Sequence, residues 1–361
     1  MNHALLEKRI REQPLMEPAD AVKLLYQSEF GCGHLLAAEG ICAARIAEEI
    51  AQTGEDALAE PVTEIGGGLC RMNLRAPAAR RVAPELIARM MRHTAGLARG
   101  SVENFEKKLD ALRDLCRRGG TPFGPDALES YLSAYAREGY PPAGHSRAYR
   151  RAYAPAYRVV LRGYGDLLEL IAMAQARQKE AGRAIVALDG DCGAGKTTLA
   201  GLMAPLFEAA ILPMDDFFLP AETRTAQRLA EPGGNIHYER FAEEILRNLA
   251  HGRAFSYTRY DCATGGWEPR SVRPSDMTII EGSYSHHPFF SAAYEELGVI
   301  RAFAAVSEEE QRKRLSRRNP ALLPRFQREW IPLEKTYFQA YHIVEKADVT
   351  IVSLPWEEDG P

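Results

Sequence analysis

Residues 184–199 read AIVALDGDCGAGKTTL, and such a stretch leaves the chain around it little freedom of fold. Ile185, Val186, Ala187 and Leu188 make the short apolar run that a buried parallel strand needs. The run leads directly into Gly190-Asp191-Cys192-Gly193-Ala194-Gly195-Lys196-Thr197, a complete match to the phosphate-loop pattern G-x-x-x-x-G-K-[ST]. Glycines at 190, 193 and 195 let the backbone turn sharply and bring its N–H groups close to phosphate oxygens. A helix starting near Lys196 then points its positive end at the same anion. Lys196 is expected to reach the β- and γ-phosphates, and the Thr197 hydroxyl to ligate Mg²⁺. Asp191, Cys192, Ala194 and Thr198 complete the expected nucleotide cradle. The site is one for a nucleoside triphosphate, with ATP and Mg²⁺ the expected pair.

A chain of 361 residues exceeds what one hydrophobic core usually serves, so two domains are expected. A hydrophobic fraction of 46% and a charged fraction of 26% belong to an ordinary soluble globular protein. The net charge of −4 argues against a nucleic-acid or membrane-surface partner. No apolar run is long enough to span a bilayer, and the opening MNHALLEKRIREQP lacks a signal-peptide core. The six cysteines show no C-x-x-C pair and no disulfide spacing, as expected of free thiols in a reducing cytoplasm. A cytoplasmic enzyme acting on a small molecule is therefore the expectation. Its oligomeric state is left open.

Residues 1–178 are expected to form a mostly helical domain. Residues 19–30, 41–52, 84–97, 102–116 and 126–137 carry apolar side chains at helical spacing, with Gly and Pro breakers between them. Ser101 is a simple helix cap. Gly31-Cys32-Gly33-His34 reads as a glycine cap followed by a surface histidine, and residues 64–71, with three consecutive glycines, as a hairpin. In residues 146–165 Arg147, Arg150, Arg151, Arg158 and Arg162 alternate with Tyr149, Tyr153, Tyr157 and Tyr164. That pattern fits an amphipathic helix broken near Pro155. It also fits a grip on a phosphorylated or anionic small ligand, and less well a nucleic-acid surface, given the acidic chain. Residues 166–182 read as a linking helix capped by Asp166.

Residues 179–361 are expected to form a different domain, an α/β phosphate-loop unit with a parallel sheet wrapped by helices. Strands are expected at 209–214, 255–260, 277–280, 299–306 and 348–352, helices at 197–207, 239–251, 307–318 and 329–345. Such alternation puts ligands at the carboxyl ends of the strands, where Asp215, Glu281 and the phosphate loop fall. No D-x-x-G or N-K-x-D of a GTPase switch follows the loop. Phosphoryl transfer to a small hydroxyl needs a base, a metal carboxylate and cations around the moving charge. Asp215, one strand over from the loop, is placed as the base, and Glu281 as the metal carboxylate. Residues 312–328 hold seven arginines and lysines with no acidic residue; Pro320 and Pro324 are expected to break this run into a closing loop in which Arg314, Arg317 and Arg318 grip phosphate.

Asp215-Asp216-Phe217-Phe218 resembles the Asp-x-Phe-Tyr segment of uridine kinases and their phosphoribulokinase and pantothenate kinase relatives. Ile280-Glu281-Gly282 resembles their Glu-Gly segment and Tyr260-Asp261 their Tyr-Asp substrate loop, so that the resemblance covers about residues 183–355. It implies an ATP- and Mg²⁺-dependent kinase with Asp215 as catalytic base, Glu281 on the magnesium side and the arginine-rich segment as lid. It further implies an acceptor site at Asp215, Phe217, His237, Tyr260 and Asp261. His237 stands where uridine kinases place the Asp that holds the ribose hydroxyls, and Phe218 where they place Tyr. A nucleoside is the leading acceptor. A pantothenate-like or sugar-like acceptor is the alternative within the class, and a nucleotide-gated binding protein the alternative outside it. The helical half has no counterpart in these kinases.

Overall fold

The computed structural model describes residues 1–262 and 264–352. Contacts divide the chain into two compact units, one of residues 1–165 and one beginning at Asp166. The expected boundary at 178/179 falls inside the helix Arg162–Ala181, which starts directly out of a strand rather than at Asp166. Leu167, Leu168, Leu170 and Ile171 of that helix are fully buried, and they fall in the second unit.

The first unit is mostly helical, as its periodicity requires. The expected helices are found at Pro18–Phe30, Glu39–Gln52, Pro84–Leu97, Val102–Arg117 and Pro125–Arg137. Ser101 Oγ accepts from Asn104 N at 3.1 Å, and the helix it caps buries Phe105, Leu109, Leu112 and Cys116 along one stripe. Gly31 caps its helix at φ 65° and His34 is exposed beyond it. The hairpin expected at residues 64–71 is present as β1 (Val62–Gly66) and β2 (Leu69–Asn73); against expectation β3 (Tyr157–Leu161) joins it, making a three-stranded antiparallel sheet in the order β1-β2-β3. Gly67 turns the β1–β2 hairpin at φ 64°, where a side chain would also strike Ser28 O. The arginine–tyrosine segment is thus not one broken helix: it is the helix Arg147–Tyr153, then β3. Tyr157-Arg158-Val159-Val160-Leu161 is β-branched and aromatic, and it pairs with β2 from Leu69↔Leu161 to Asn73↔Tyr157.

The second unit is an α/β fold built on a five-stranded parallel sheet. Its strands are β4 (Ala184–Gly190), β5 (Ala210–Pro213), β8 (Met277–Glu281), β9 (Ile300–Ala305) and β10 (Val349–Val352), in the order β10-β9-β4-β8-β5. The strands β6 (Phe255–Asp261) and β7 (Gly266–Val272) stand apart as an antiparallel ribbon. Only β6 was expected, and as part of the main sheet. Every residue of the central strand β4 is buried, which accounts for its apolar run. One face of the sheet packs on a core that includes Leu212, Phe217, Phe241, Phe290, Phe303 and Tyr337. All six cysteines are free, and among the described residues no helix is long and apolar enough to cross a membrane.

Candidate functional site

The phosphate loop is built where β4 hands over to the helix Lys196–Phe207. Gly190 has φ 144°, and a Cβ there would overlap Ala304 O of the neighbouring strand, so only glycine permits this approach. The next residue ties the loop to the same strand: Asp191 N donates to Ala304 O at 2.9 Å and Asp191 Oδ2 accepts from Val306 N at 3.0 Å. Gly193 and Gly195 take the left-handed conformation that opens the loop. Lys196 Nζ donates to Gly190 O (2.7 Å), Asp191 O (3.1 Å) and Ser283 Oγ (3.2 Å), so the ammonium lies across the loop. Thr198 follows on the first helical turn.

Two carboxylates approach from the sheet. Glu281 ends β8, directly beside β4, and its two carboxylate oxygens accept from Thr197 Oγ1 at 3.2 and 3.1 Å. Asp215 lies in the 3₁₀ turn Met214–Phe217 that follows β5. The sequence reading puts that strand next to the loop's; in the structure β8 lies between β5 and β4. Asp215 is still within electrostatic reach of Lys196, Glu281 and Arg318. Desolvation raises the Asp215 carboxyl above the ordinary aspartate value, with Asp216 adding repulsion and Lys196 and Arg318 opposing it. Glu281 is raised by burial and then by Asp215, with Thr197 and Lys196 opposing. Although its side chain is open to solvent, Asp215 sits deep among protein atoms at the strand ends, which is why desolvation dominates.

The neighbouring Asp216 points the other way. It is buried, its Oδ2 accepting from Tyr257 Oη at 2.6 Å and its Oδ1 lying 3.3 Å from Arg259 Nε. Phe217, expected on the acceptor side, is fully buried between the rings of Phe241 (5.1 Å) and Tyr257 (5.4 Å), under the Arg240 guanidinium. It seats the turn rather than facing the cleft. His237 caps a helix: its Nδ1 accepts from Arg240 N at 3.4 Å and lies 3.2 Å from Glu239, while its backbone N donates to Phe217 O at 2.7 Å. Tyr260 and Asp261 close β6; the Tyr260 ring packs on Trp267 at 5.0 Å, and Asp261 lies 3.7 Å from Arg259.

The helix expected at 307–318 is present, and the closing loop expected around Pro320 and Pro324 is instead a run of helical turns. Arg314, Arg317 and Arg318 lie on the helix Glu308–Arg318, and residues 320–341 continue as helical turns. Pro320 and Pro324 sit at the first positions of such turns, where no N–H is needed. Arg314 Nε pairs with Glu310 at 2.8 Å, and its Nη1 donates to Gly193 O at 3.3 Å. Arg317 and Arg318 are exposed at the end of that helix.

Three groups at the site escaped the sequence reading. Asp189, fully buried at the end of β4, accepts from Tyr284 N (3.2 Å), His286 N (3.0 Å) and Tyr337 Oη (2.9 Å), so it locks the turn after β8 to the loop strand. Its signal was a lone carboxylate inside an apolar run. Glu334 reaches the loop from the helix Ile331–Tyr341: Oε2 accepts from Cys192 N at 2.9 Å and Oε1 from Ser283 Oγ at 2.6 Å. Burial raises its carboxyl, with Lys196 opposing. Ser283 bridges Glu334 and Lys196. Nothing local in the sequence marks Glu334 or Ser283.

Thr197 and Glu281 are hard oxygen donors in contact, which suits Mg²⁺. No cluster of three His, Cys, Asp or Glu side chains able to hold a metal occurs among the described residues. A Mg²⁺ site needs none, because the ion keeps waters and takes phosphate oxygens.

No protein-family model matches the chain, and no curated protein matches it. Among solved structures it is similar to a possible uridine kinase from Bacillus stearothermophilus, 20% identical, covering 51% of this chain and 99% of that one with a TM-score of 0.38. It is also similar to a putative fructose transport system kinase from Silicibacter sp. TM1040, 23% identical, covering 50% of this chain and 97% of that one with a TM-score of 0.38.

Proposed function

We propose that this protein is an ATP- and Mg²⁺-dependent kinase that phosphorylates a hydroxyl of a small molecule, with a nucleoside as the leading acceptor. The observation that carries the proposal is the gathering of Lys196, Thr197, Glu281 and Asp215 at the carboxyl ends of β4, β8 and β5. A nucleotide switch needs the loop and the metal pair; it has no use for a second, elevated carboxyl beside them.

Each residue then has a task. The backbone N–H groups of residues 193–198 bind the phosphates at the helix start. Thr197 and Glu281 hold Mg²⁺, which when bound supplies charge neutralisation between the phosphates. Asp215 takes the proton from the acceptor hydroxyl as its oxygen attacks the γ-phosphorus and the bond to the β-phosphate oxygen breaks. Its raised proton affinity suits a general base. Lys196 and Arg318 stabilise the charge on the moving phosphoryl group, and Arg314 holds the loop through Gly193 O. His237 and the Tyr260-Asp261 end of β6 line the acceptor side.

His237 favours a second reading within the class. Its Nδ1 is engaged in the helix cap, which leaves Nε2 as the one ring atom for an acceptor hydroxyl, where a carboxylate would offer two oxygens to a diol. A sugar-like or pantothenate-like acceptor fits that single contact. Acceptor-dependent ADP release, measured with a panel of nucleosides, sugars and vitamins, tests both readings. A nucleotide-gated binding protein would release ADP with none of them.

A further inference from the structure

Away from the phosphate loop, the first unit contains a basic cavity that no step of the proposed reaction uses. Arg71 stands in the middle of β2, opposite Thr63 on one side and Val159 on the other, and is only 6% exposed. Its guanidinium lies over the Tyr157 ring at 4.5 Å, and its Nε donates to Gln27 Oε1 at 2.9 Å. Its Nη2 is buried without a hydrogen-bond partner among the described residues, and so is Arg75 Nε. Both arginines border one cavity of about 230 Å³, with Thr63, Asn73, Tyr149 and Tyr153.

A guanidinium stays charged at any physiological pH, so burial cannot neutralise it. Leaving such donors unpaired is costly, and each of the two arginines that border the cavity carries one. Two nearby carboxylates are occupied. Asp20 Oδ1 takes His145 Nδ1 and Ser146 N, both at 2.9 Å, and its Oδ2 takes Glu17 N at 3.0 Å. Glu49 pairs with Arg158 at 2.6 Å. Asp56, exposed, also borders the cavity, and its Oδ1 accepts from Leu58 N at 3.1 Å. Burial first, then the charges of Arg71 and Arg150, push the Lys23 ammonium down to about 8, with Asp20 opposing.

We propose that this cavity binds the anionic group of a small molecule, a phosphoryl or a carboxylate, gripped by Arg71 and Arg75 and walled by Tyr149 and Tyr153. Whole-ligand pockets run to roughly 300–1,000 Å³, so a cavity of about 230 Å³ takes the charged head of the ligand rather than an entire nucleotide. Arginine forks match phosphate and carboxylate oxygens alike. The tyrosine hydroxyls are held from the protein side: Tyr153 Oη accepts from Leu15 N at 2.9 Å, and the Tyr149 hydroxyl bonds to Gln13.

The test is calorimetric titration of the full chain with inorganic phosphate in one arm and succinate in the other. Both arms use a Lys196→Ala background, which blunts the phosphate loop and keeps the result independent of the kinase proposal. Saturable binding of either anion is expected, weakened about ten-fold or more by Arg71→Met and by Arg75→Gln, since each removes a charge-assisted hydrogen bond. The arm that binds identifies the group. Arg75 is only half-buried, so Arg75→Gln keeps the test readable if Arg71→Met does not fold by circular dichroism. Absence of saturable binding in both arms overturns the proposal, as does binding that the folded variants retain in full; either marks a cavity filled by water alone.

Discussion

Adjacent side chains leaving a strand diverge, and the pair Asp215-Asp216 shows what that does to chemistry. Asp216 is spent on Tyr257 and Arg259, whereas Asp215 opens on the cleft. Asp215→Asn keeps the shape but cannot take the acceptor proton, so kcat should fall about 10²–10⁴-fold while ATP affinity survives. Asp216→Asn should leave turnover largely intact and act on stability, lowering Tm by weakening a buried, charge-assisted pair. Equal losses of kcat in the two variants would show that the base is misassigned. Stability offers an independent reading of Asp215. Because its carboxyl is raised in the fold, the folded state holds the proton more tightly than the unfolded chain does. Its contribution is therefore favourable below the ordinary aspartate pKa and is lost as pH rises through the raised one. At neutral pH Asp215→Asn should raise Tm in nucleotide-free protein, and that gain should vanish in melts run near pH 3. At His237 the cap decides what can be tried. Asp is a preferred cap residue, so His237→Asp keeps the helix start while offering a diol two oxygens. If a ribonucleoside is the acceptor, its KM should drop roughly ten-fold, the worth of one hydrogen bond to a charged group. An unchanged KM moves the acceptor to another class.

At the level of elements, the central strands β4 and β8 were legible because every residue in them is buried, so that each reads as a continuous apolar run. The helices of the first unit were legible through their apolar stripes. What could not be read follows from the same physics. The ribbon strand β7, Gly266–Val272, is exposed at most positions and contains Pro269, so it carries neither an apolar run nor a strand-like composition. The hairpin of β1 and β2 was legible from its three glycines, whereas β3, five residues long, is too short to show a period against the helices around it. Pro320 and Pro324 looked like breaks, yet each sits in the first positions of a helical turn. Within the site, the loop and the Thr197–Glu281 pair followed from local pattern, while Glu334 needs the tertiary fold to reach Cys192 N. The helical setting of the arginines changes their expected effects. Arg314 is tied to Glu310 and to Gly193 O, so Arg314→Ala should weaken nucleotide binding more than turnover. Arg318 is exposed and within electrostatic reach of Asp215, so Arg318→Ala should act on kcat. The loss should approach the roughly 10³–10⁵-fold range of arginine fingers, or fall short of it if Arg317 shares the charge. Full kcat in Arg317→Ala, Arg318→Ala and the double variant would make this helix end a solvated surface.

Over the whole molecule, the question is which part of the chain carries the proposed kinase chemistry by itself. All of the loop, both carboxylates, His237, the β6 end and the arginine helix belong to the unit that begins at Asp166. The sequence style changes later, at Ala184, because the helix Arg162–Ala181 shares its helical period with the first unit although its contacts fall in the second. Leu167, Leu168, Leu170 and Ile171 of this helix are buried, and Arg177 approaches Gly298 in the same unit. Burying an aliphatic side chain of this size stabilises by about 1.5–3 kcal/mol, so the four together contribute roughly 6–12 kcal/mol. A domain's entire stability is about 5–15 kcal/mol. A segment running from Asp166 to the end of the chain should therefore fold cooperatively and bind ATP with Mg²⁺. One starting at Lys179, which severs most of the helix and all four of those side chains, should be insoluble or melt far lower. Denaturant unfolding and nucleotide titration of the two segments read this directly. Equal stability would mean that the helix lends nothing to the second unit, and failure of both segments while the full chain binds nucleotide would mean that the two units share a core.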